Sequence, residues 1–491
     1  MHVRWDEGAQ ATPNGQLVFF AEFLQTAGIF DRWVEDCPLS YISPNAPTKR
    51  DVLGTLLLAI LAGHKRYAHI TALRGDAVAA QALGMRRVIS EDAMRRALLR
   101  IDEDASAKWL RPALMNSVHD VLDRPWILDI DASIKTLFGH QEGATLGYNP
   151  HKPGRPSHVL HTYWVGNLRL VLDVQVSPGK QHSSLHAKAG LGALLDELDA
   201  SRRPKLVRGD SGYGNEGILL TLESCQQPYL LRLRQTKNVL RLVQRQFARS
   251  DWTRPDNQGC QMIEDRLRLQ GWSKERRVVL VRRALKDSVA RQSRRANGQL
   301  QLALADMQVL DADILWEYTV LVTDTAYALE SIGQLYRDRC DCVDLGFCQN
   351  GFDELKNQWG LSGFTTQDIS RCQATARAGA LVYNWWSWYC RAAHPNARLE
   401  AVTSRPLLLA AIGKAANHGG QTQLYLTPLH GKVQTIKALI VNIRAALQHV
   451  KAIAEQLPKV DRWATLLRYI CQCFAPTIAT PMPQPALAGS G

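Results

Sequence analysis

The stretch Trp126-Ile-Leu-Asp-Ile-Asp-Ala-Ser133 decides the fold, and Pro125 stands directly before it. A short apolar run that follows proline and ends in polar residues is typical of a buried strand. Asp129 and Asp131 are two positions apart, so their side chains point to the same side of that strand. A carboxylate in such a place is costly unless it is paired, hydrogen-bonded or bound to a cation. The stretch alone leaves open whether these acids are functional or cap a turn.

Further strand and helix patterns follow in a fixed order. Gly166-Asn167 predicts a two-residue hairpin turn, and Asp210 ends a later strand as Asp131 ends the first. Ligands gather at the carboxyl ends of strands where strand order reverses, so we expect Asp131 and Asp210 side by side. The predicted strands are His158–Val165, Leu168–Val176, Lys205–Asp210 and Pro228–Arg234, and the predicted helices are Ala189–Leu198 and Asn215–Cys225.

This order of elements, with acids at these two strand ends, resembles the ribonuclease-H-like fold. We therefore predict an α/β class with a mixed sheet flanked by helices. The resemblance implies that the carboxylates hold two divalent metals about 3.5–4 Å apart for in-line phosphoryl displacement. Hard oxygen ligands and phosphate chemistry favour Mg²⁺ or Mn²⁺ over zinc.

The composition points to a nucleic-acid partner. The chain has 491 residues, a net charge of +13 and a pI of about 9.3, which favours an acidic partner. Its 10 cysteines are scattered, so we interpret them as reduced thiols of a cytosolic protein. We expect no signal peptide, because Met1–Gln16 is polar and carries acidic residues, and the longest apolar run, Val52–Ala62, is too short to span a bilayer. We expect no membrane association.

The N-terminal residues predict a small helical bundle. Thr48-Lys-Arg-Asp51 has the pattern of a capping box ahead of the apolar run. Residues 82–101 predict a short helix, a turn at Gly84 and a second helix capped by Ser90, as in a helix-turn-helix. Arg95 and Arg96 on the second helix are candidate DNA contacts. A solvated basic face on a structural helix is an equal alternative.

A long loop rich in Gly, Pro and His follows the first strand. Lys135, Lys152 and Arg155 are candidate contacts to the DNA backbone. His182 and His186 have the spacing of two metal ligands on one helix face. No third ligand is evident beside them, so we interpret most histidines here as hydrogen-bonding or phosphate-facing residues and not as metal ligands.

The remaining chain divides by composition. Arg- and Gln-rich residues suggest a β-rich insertion, helices dominate after the last core strand, and a Pro/Ala-rich tail is expected to be disordered. The predicted units are a helical DNA-binding domain at 1–120, a catalytic core at 121–235, an insertion at 236–315, the second part of the core with a signature helix at 316–395, C-terminal helices at 396–475 and the tail at 476–491.

Six ordered blocks resemble the DDE transposases of insertion sequences, and most closely the insertion-sequence-1380 family. The blocks are Leu128–Asp131 with Ser133, Gly139–Gly143, Tyr148–Ser157, Arg208–Tyr213, Tyr336–Arg339 and Asn350–Gly360. The resemblance implies metal-dependent cleavage of the element's ends, followed by attack of the freed 3′-hydroxyl on target DNA. It assigns the catalytic, metal-binding aspartates to Asp131 and Asp210, and phosphate handling to Tyr336, Arg339 and Lys356.

The third acid of the family departs from its pattern here. The family expects a glutamate four positions after the signature arginine and seven before the lysine. Four positions after Arg339 is Val343, and seven before Lys356 is Gln349, so neither position holds the expected glutamate. The segment Val343–Cys348 has the character of an insertion. Glu354 is taken as the third catalytic acid, with Asp344 and Asp353 as alternatives. Asp344 and Glu354 are each also readable as ordinary surface charge.

Two functions therefore remain open beside the main one. The main hypothesis is an active transposase, with endonuclease activity, that acts on double-stranded DNA at terminal inverted repeats and target sites. The alternatives are a catalytically impaired copy that only binds DNA, and a nuclease of the same fold that nicks without joining. The resemblance implies a homodimer in the bacterial cytoplasm, associated with the nucleoid.

Overall fold

The protein is seen in a computed structural model that describes residues 1–4, 6, 8–149, 152–181, 183–247, 249–284, 308–311, 314–340, 351–428, 431–454 and 456–473. The predictions for Asp344, Gln349, the segment Val343–Cys348 and the tail 476–491 fall outside these residues.

Strands in the described part of the chain form one large sheet and one small one. In chain order they are Ala11–Thr12 (β1), Ile127–Thr136 (β2), Thr145–Leu146 (β3), Pro156–Val165 (β4), Leu170–Pro178 (β5), Leu206–Gly209 (β6), Tyr229–Arg232 (β7), Cys260–Leu267 (β8), Arg276–Ala284 (β9), Gln308–Asp311 (β10), Ile314–Thr323 (β11), Gly413–His418 (β12) and Gln421–Leu426 (β13). The small sheet has the order β1-β12-β13.

The centre of the large sheet has the order β5-β4-β2-β6-β7. Strands β2, β6 and β7 are parallel, whereas β4 is antiparallel to both β2 and β5. Ile127, Leu128 and Ile130 are buried, as expected for a central strand covered on both faces. This mixed sheet flanked by helices is the predicted ribonuclease-H-like fold.

The β4–β5 hairpin is longer at its turn than predicted. Its last paired residues are Val165 and Leu170, so the loop spans 166–169 and not Gly166-Asn167 alone. Leu168 is buried in the core and takes no part in the ladder, and Arg169 has a left-handed φ of 50°. A register shift after Tyr163 accompanies this arrangement. The prediction of a two-residue turn is therefore wrong.

The predicted insertion extends the main sheet. Strand β11 is antiparallel to both β7 and β9, and β8 continues the sheet beyond β9. Residues 236–315 thus contribute strands to the same layer that carries Asp131 and Asp210.

Helices cover this sheet, and the helix Ile369–Ala393 is buried along nearly all of its length. In chain order the helices are Leu17–Ala27 (α1), Ile29–Glu35 (α2), Lys49–Leu61 (α3), Ala77–Ala82 (α4), Glu91–Leu99 (α5), Glu103–Asn116 (α6), Ser183–His186 (α7), the π-helical turn Ala187–Gly192 (α8), Ala193–Asp196 (α9), Glu216–Ser224 (α10), Lys237–Gln246 (α11), Leu329–Cys340 (α12), Gly351–Gln358 (α13), Ile369–Ala393 (α14), Ala401–Leu408 (α15), Val433–Ile453 (α16) and Lys459–Cys473 (α17).

The N-terminal helices share one hydrophobic core with the sheet, α14, α16 and α17. The predicted caps are confirmed: Thr48 and Asp51 form the capping box of α3, and the Ser90 side chain accepts from the Ala93 amide at the start of α5. None of the helices in the described ranges is long and apolar enough to cross a membrane.

Side-chain amides of α14 protect the edge of the sheet. Asn384 accepts from the Val171 amide at 2.9 Å and donates to the Val171 carbonyl at 2.7 Å. Gln373 donates to the Val174 carbonyl and accepts from the Val176 amide, both at 2.6 Å. An unpaired strand edge invites pairing with another chain, and these amides take the place of the missing strand.

Candidate functional site

Two acids meet where β6 ends beside β2. The last paired residues of these parallel strands are Ile130 and Gly209, so the next residues, Asp131 and Asp210, stand side by side on the same face. Burial raises the pKa of Asp131, the guanidinium of Arg339 opposes this rise, and the charge of Asp210 adds to it. The effect of Asp210 on the pKa of Asp131 and the register of the strands thus agree that the two carboxylates are neighbours.

Arg339, at the end of α12, reaches this pair. Its Nη2 donates to Asp131 Oδ1 at 3.0 Å and to the Ile130 carbonyl at 2.9 Å. Burial lowers the pKa of Arg339, but nearby carboxylates, with Asp131 foremost, outweigh burial and raise it. The predicted signature arginine is therefore a permanent positive charge at the acidic site.

Asp129 is used differently from Asp131. Arg208 on β6 holds it through a two-pronged ion pair, Nε to Oδ1 at 2.7 Å and Nη2 to Oδ2 at 2.8 Å. Arg208 also donates to the Leu335 carbonyl of α12. A side chain at Gly166 would collide with the Asp129 carboxylate, so the hairpin turn seals this pair. Asp131 is 21% exposed at its side chain, and Asp129 only 7%.

Glu354 lies in a different environment. Its Oε1 accepts from the Ala401 amide at 2.9 Å and from Trp359 Nε1 at 3.3 Å, and its Oε2 pairs with Arg398. The residue is 2% exposed. Both carboxylate oxygens therefore tie α13 to the start of α15, and none of these partners is shared with Asp131.

The other signature residues lie on α12 and α13. Asp353 is exposed and accepts from Asn357 Nδ2 at 2.6 Å, and Lys356 is half-buried one turn further on. Tyr336 on α12 packs against the apolar cluster beneath the sheet.

Lys135 is buried and donates to the Gly363 carbonyl at 2.6 Å. The prediction that Lys135 contacts DNA phosphate is wrong, because its ammonium holds the chain that follows α13.

The predicted DNA-contacting cations differ in their surroundings. Lys152 and Arg155 are exposed and lie over the Phe138 ring. Arg95 pairs with Glu91 at 3.5 Å and with Asp92 at 3.3 Å. Arg96 is exposed on α5.

A buried histidine cluster lies on the opposite face of the sheet. His161 and His186 stack at 3.9 Å between ring centroids, and His161 Nδ1 bonds the Tyr213 hydroxyl at 2.9 Å. Burial lowers the pKa of His161 to about 3 and that of His186 to about 4. Both rings are neutral packing groups at physiological pH, and His182 falls outside the described residues.

Sequence reasoning did not single out Arg208 or Phe138. The position of Arg208, two residues before Asp210 on a predicted neighbouring strand, carried a signal, because register places it opposite Asp129. Phe138 had no comparable signal, because its contact with Lys152 and Arg155 depends on how the loop folds back.

The acidic pair has the donor chemistry of a divalent-metal site. Two carboxylates held this close repel each other unless a cation or proton lies between them, and oxygen ligands suit Mg²⁺ or Mn²⁺. Across the described ranges, no third His, Cys, Asp or Glu completes a metal-binding group.

The fold and the paired acids define a ribonuclease-H-like protein with an acidic site at the end of its central strands. The chain belongs to the family Transposase DDE domain group 1, which it matches over residues 3–291, more than half of its length. A comparison with curated proteins finds no match. Among solved structures, the cryo-EM structure of a piggyBac transposase synaptic complex with hairpin DNA is similar, with a TM-score of 0.34 and 13% identity, and the match covers 96% of this chain and 87% of the other.

Proposed function

We propose that the chain is the transposase of an insertion sequence of the 1380 type, which cuts the element's ends and joins them to target DNA. The observation that carries this proposal is the adjacency of Asp131 and Asp210 at the ends of two parallel strands. The membership of a DDE transposase family supports it independently.

Asp131 and Asp210 would hold the divalent ions, Mg²⁺ or Mn²⁺, of which two are expected. When bound, such ions activate water and neutralise charge on the phosphate under attack. Arg339 orients the Asp131 carboxylate through the bond to Oδ1 and keeps a positive charge beside the scissile phosphate. The Asp129–Arg208 pair holds α12 against β6, so that Arg339 stays in reach of Asp131.

The third acid comes, in our proposal, from the chain between Arg339 and Lys356, with Asp344 and Asp353 as candidates. Arg339 touches Asp131, and Gly363 beyond α13 accepts from Lys135 further along the same strand. Arg339 at the end of α12 and Gly363 after α13 therefore both contact β2, the strand that carries Asp131. We assign Glu354 to the support of α15, because its oxygens are already bonded there.

The DNA partner is double-stranded, at the element's terminal repeats and at the target. The exposed cations Lys152, Arg155 and Arg96 supply phosphate contacts, and the proposed set is completed by the partly buried Arg95, Lys356 and Tyr336 and by Arg339 at the acidic pair. We propose a homodimer that bridges the two ends in the bacterial cytoplasm, at the nucleoid.

A cleavage and strand-transfer assay on DNA that carries the element's ends tests the proposal. We expect Mg²⁺-dependent cleavage and joining that Asp131→Ala and Asp210→Ala abolish. The matched control is Asp123→Ala, an acid that is 58% exposed and pairs with Arg202 outside the acidic site, and this variant should cleave at the wild-type rate. Equal cleavage by wild type and Asp131→Ala would refute the assignment.

A chain that binds DNA without cutting is the second candidate. Glu354 is engaged elsewhere, and Gln349 replaces the expected glutamate, which favours this alternative. It predicts retained binding of the ends with no cleavage by the unmodified chain. Nicking without joining would indicate a nuclease of the same fold.

A further inference from the structure

An exposed aromatic ring lies beneath two cations beyond the end of β2. Phe138 is 68% exposed, with Lys152 Nζ 5.2 Å and Arg155 Cζ 5.6 Å from its ring centroid. No carboxylate in the described ranges pairs with either cation. An exposed aromatic ring combined with cations is the arrangement on which proteins stack the bases of single-stranded nucleic acid.

The local sequence builds this surface. Lys152-Pro-Gly-Arg155 forms a β-turn in which the Arg155 amide donates to the Lys152 carbonyl at 3.2 Å. Pro153 occupies the second position, and Gly154, with φ of 78°, occupies the third, as a type II turn requires. The first and last residues of such a turn lie close together, so both cations reach one ring.

A buried amide holds the turn in place. Asn149 is 4% exposed, and its Oδ1 accepts from the Lys152 amide at 3.1 Å. Its Nδ2 donates to Thr136 Oγ1 at 3.2 Å and to the Arg155 carbonyl at 3.5 Å. The ring and its cations are therefore fixed to the end of the strand that carries Asp131.

We propose that Phe138, Lys152 and Arg155 form a stacking platform for an unpaired DNA base, with the cations on the adjoining phosphates. Aromatic rings among cations are the usual means of holding single-stranded nucleic acid, because every base has a flat face. This inference rests on the proposed function only for the identity of the polymer as DNA.

The platform's place on β2 sets the distance between the stacked base and the cut. Thr136 lies five residues beyond Asp131, which is about 17 Å along an extended strand. Each strand of a DNA duplex advances about 3.4 Å per nucleotide along the axis, so a straight path of this length places the stacked base about five nucleotides from the scissile phosphate.

Fluorescence anisotropy with the full chain tests the platform. The two probes are a labelled oligo-dT of about 20 nucleotides and a blunt duplex without unpaired bases. The oligo-dT is long enough to fill a typical single-strand site, which covers about 4–16 nucleotides. Chelator is present, so that binding is measured without cleavage. We expect Phe138→Ala and Phe138→Leu to weaken oligo-dT binding by about 5- to 150-fold and Phe138→Trp to retain it.

Two comparisons keep this result specific. Tyr425→Ala removes another exposed aromatic residue, 53% exposed on β13, and should leave oligo-dT affinity unchanged. Lys152→Ala and Arg155→Ala should each lower the salt slope of oligo-dT binding by about 0.7, one phosphate contact apiece.

Three results would overturn the platform: wild-type affinity in Phe138→Ala, wild-type affinity in Phe138→Leu, or an equal loss of affinity for the blunt duplex. The proposed function is tested separately by the Asp131→Ala cleavage assay. If Phe138→Ala loses oligo-dT binding and the wild-type chain does not cut DNA, the platform is supported and the transposase activity is refuted.

Discussion

Replacing Arg208 with methionine tests the claim that a buried ion pair supports the acidic site. Methionine keeps an unbranched apolar stem but has neither the charge nor the hydrogen-bond donors of the guanidinium. The change leaves Asp129, whose side chain is 7% exposed, as an unpaired buried carboxylate. It also removes the bond from Arg208 to the Leu335 carbonyl, which joins α12 to the sheet.

The expected cost is large because the removal is one-sided. Breaking a buried ion pair by deleting one partner costs about 3–5 kcal/mol, since the remaining charge keeps its desolvation penalty. Removing both charges, as in Asp129→Leu with Arg208→Met, leaves no buried charge and should cost less than Arg208→Met alone.

Chemical denaturation of wild type, both single variants and the double variant gives these free energies of unfolding, provided that the transitions share one m value. Arg32→Met is the control, because Arg32 and its partner Asp36 are 51% and 58% exposed and 3.6 Å apart, and such surface pairs contribute about 1 kcal/mol or less. A cost for Arg208→Met no larger than that of the control, or a double variant at least as unstable as Arg208→Met, would refute the reasoning.

Three further outcomes follow from the described contacts. Glu354→Ala should lower the free energy of unfolding by about 3–5 kcal/mol, because it removes one partner of the buried Arg398–Glu354 ion pair. The folded variant should still cleave DNA at the wild-type rate. Loss of cleavage in folded protein would instead make Glu354 catalytic. Burial, with the charge of Asp210, raises the pKa of Asp131. With chelator present, the free energy of unfolding should therefore fall as the pH rises above about 4, the ordinary carboxyl pKa, because ionised Asp131 is less favourable in the folded chain than in the unfolded one. Asp131→Asn should therefore stabilise the metal-free chain more at about pH 7 than at about pH 4, and thermal melts showing the same difference at both would contradict this. Asn384→Leu should cost about 1–3 kcal/mol for each of the two Val171 backbone groups left unpaired, measured by denaturation, and a cost below about 1 kcal/mol in total would show that water replaces the amide.

Local patterns in the sequence predicted the parts of the site that depend on strand period and strand ends. The apolar run before Asp131 and the strand before Asp210 were recognisable, and parallel pairing then required the two acids to meet. The cap residues Thr48 and Ser90 were recognisable for the same reason, since each acts on an amide within a few positions of itself.

The sequence could not distinguish the roles of Asp129 and Asp131 by pattern alone. Both point to one face of β2, and only the ion pair with Arg208 commits Asp129 to support. Glu354 was expected at the catalytic centre because of its place in a signature block. Its Arg398 partner and its bond to Ala401 depend on how α15 packs, which no local pattern reports.

By itself the sequence determined the order of strands, the caps of helices and the convergence of Asp131 and Asp210, because these follow from side-chain period and chain direction over short distances. Only the tertiary structure decided which charges are neutralised, how the strands after residue 236 join the sheet, and how Phe138 comes to lie beneath two cations. Such features depend on register and packing between segments far apart in the chain, and this register and packing are fixed only when the whole core forms.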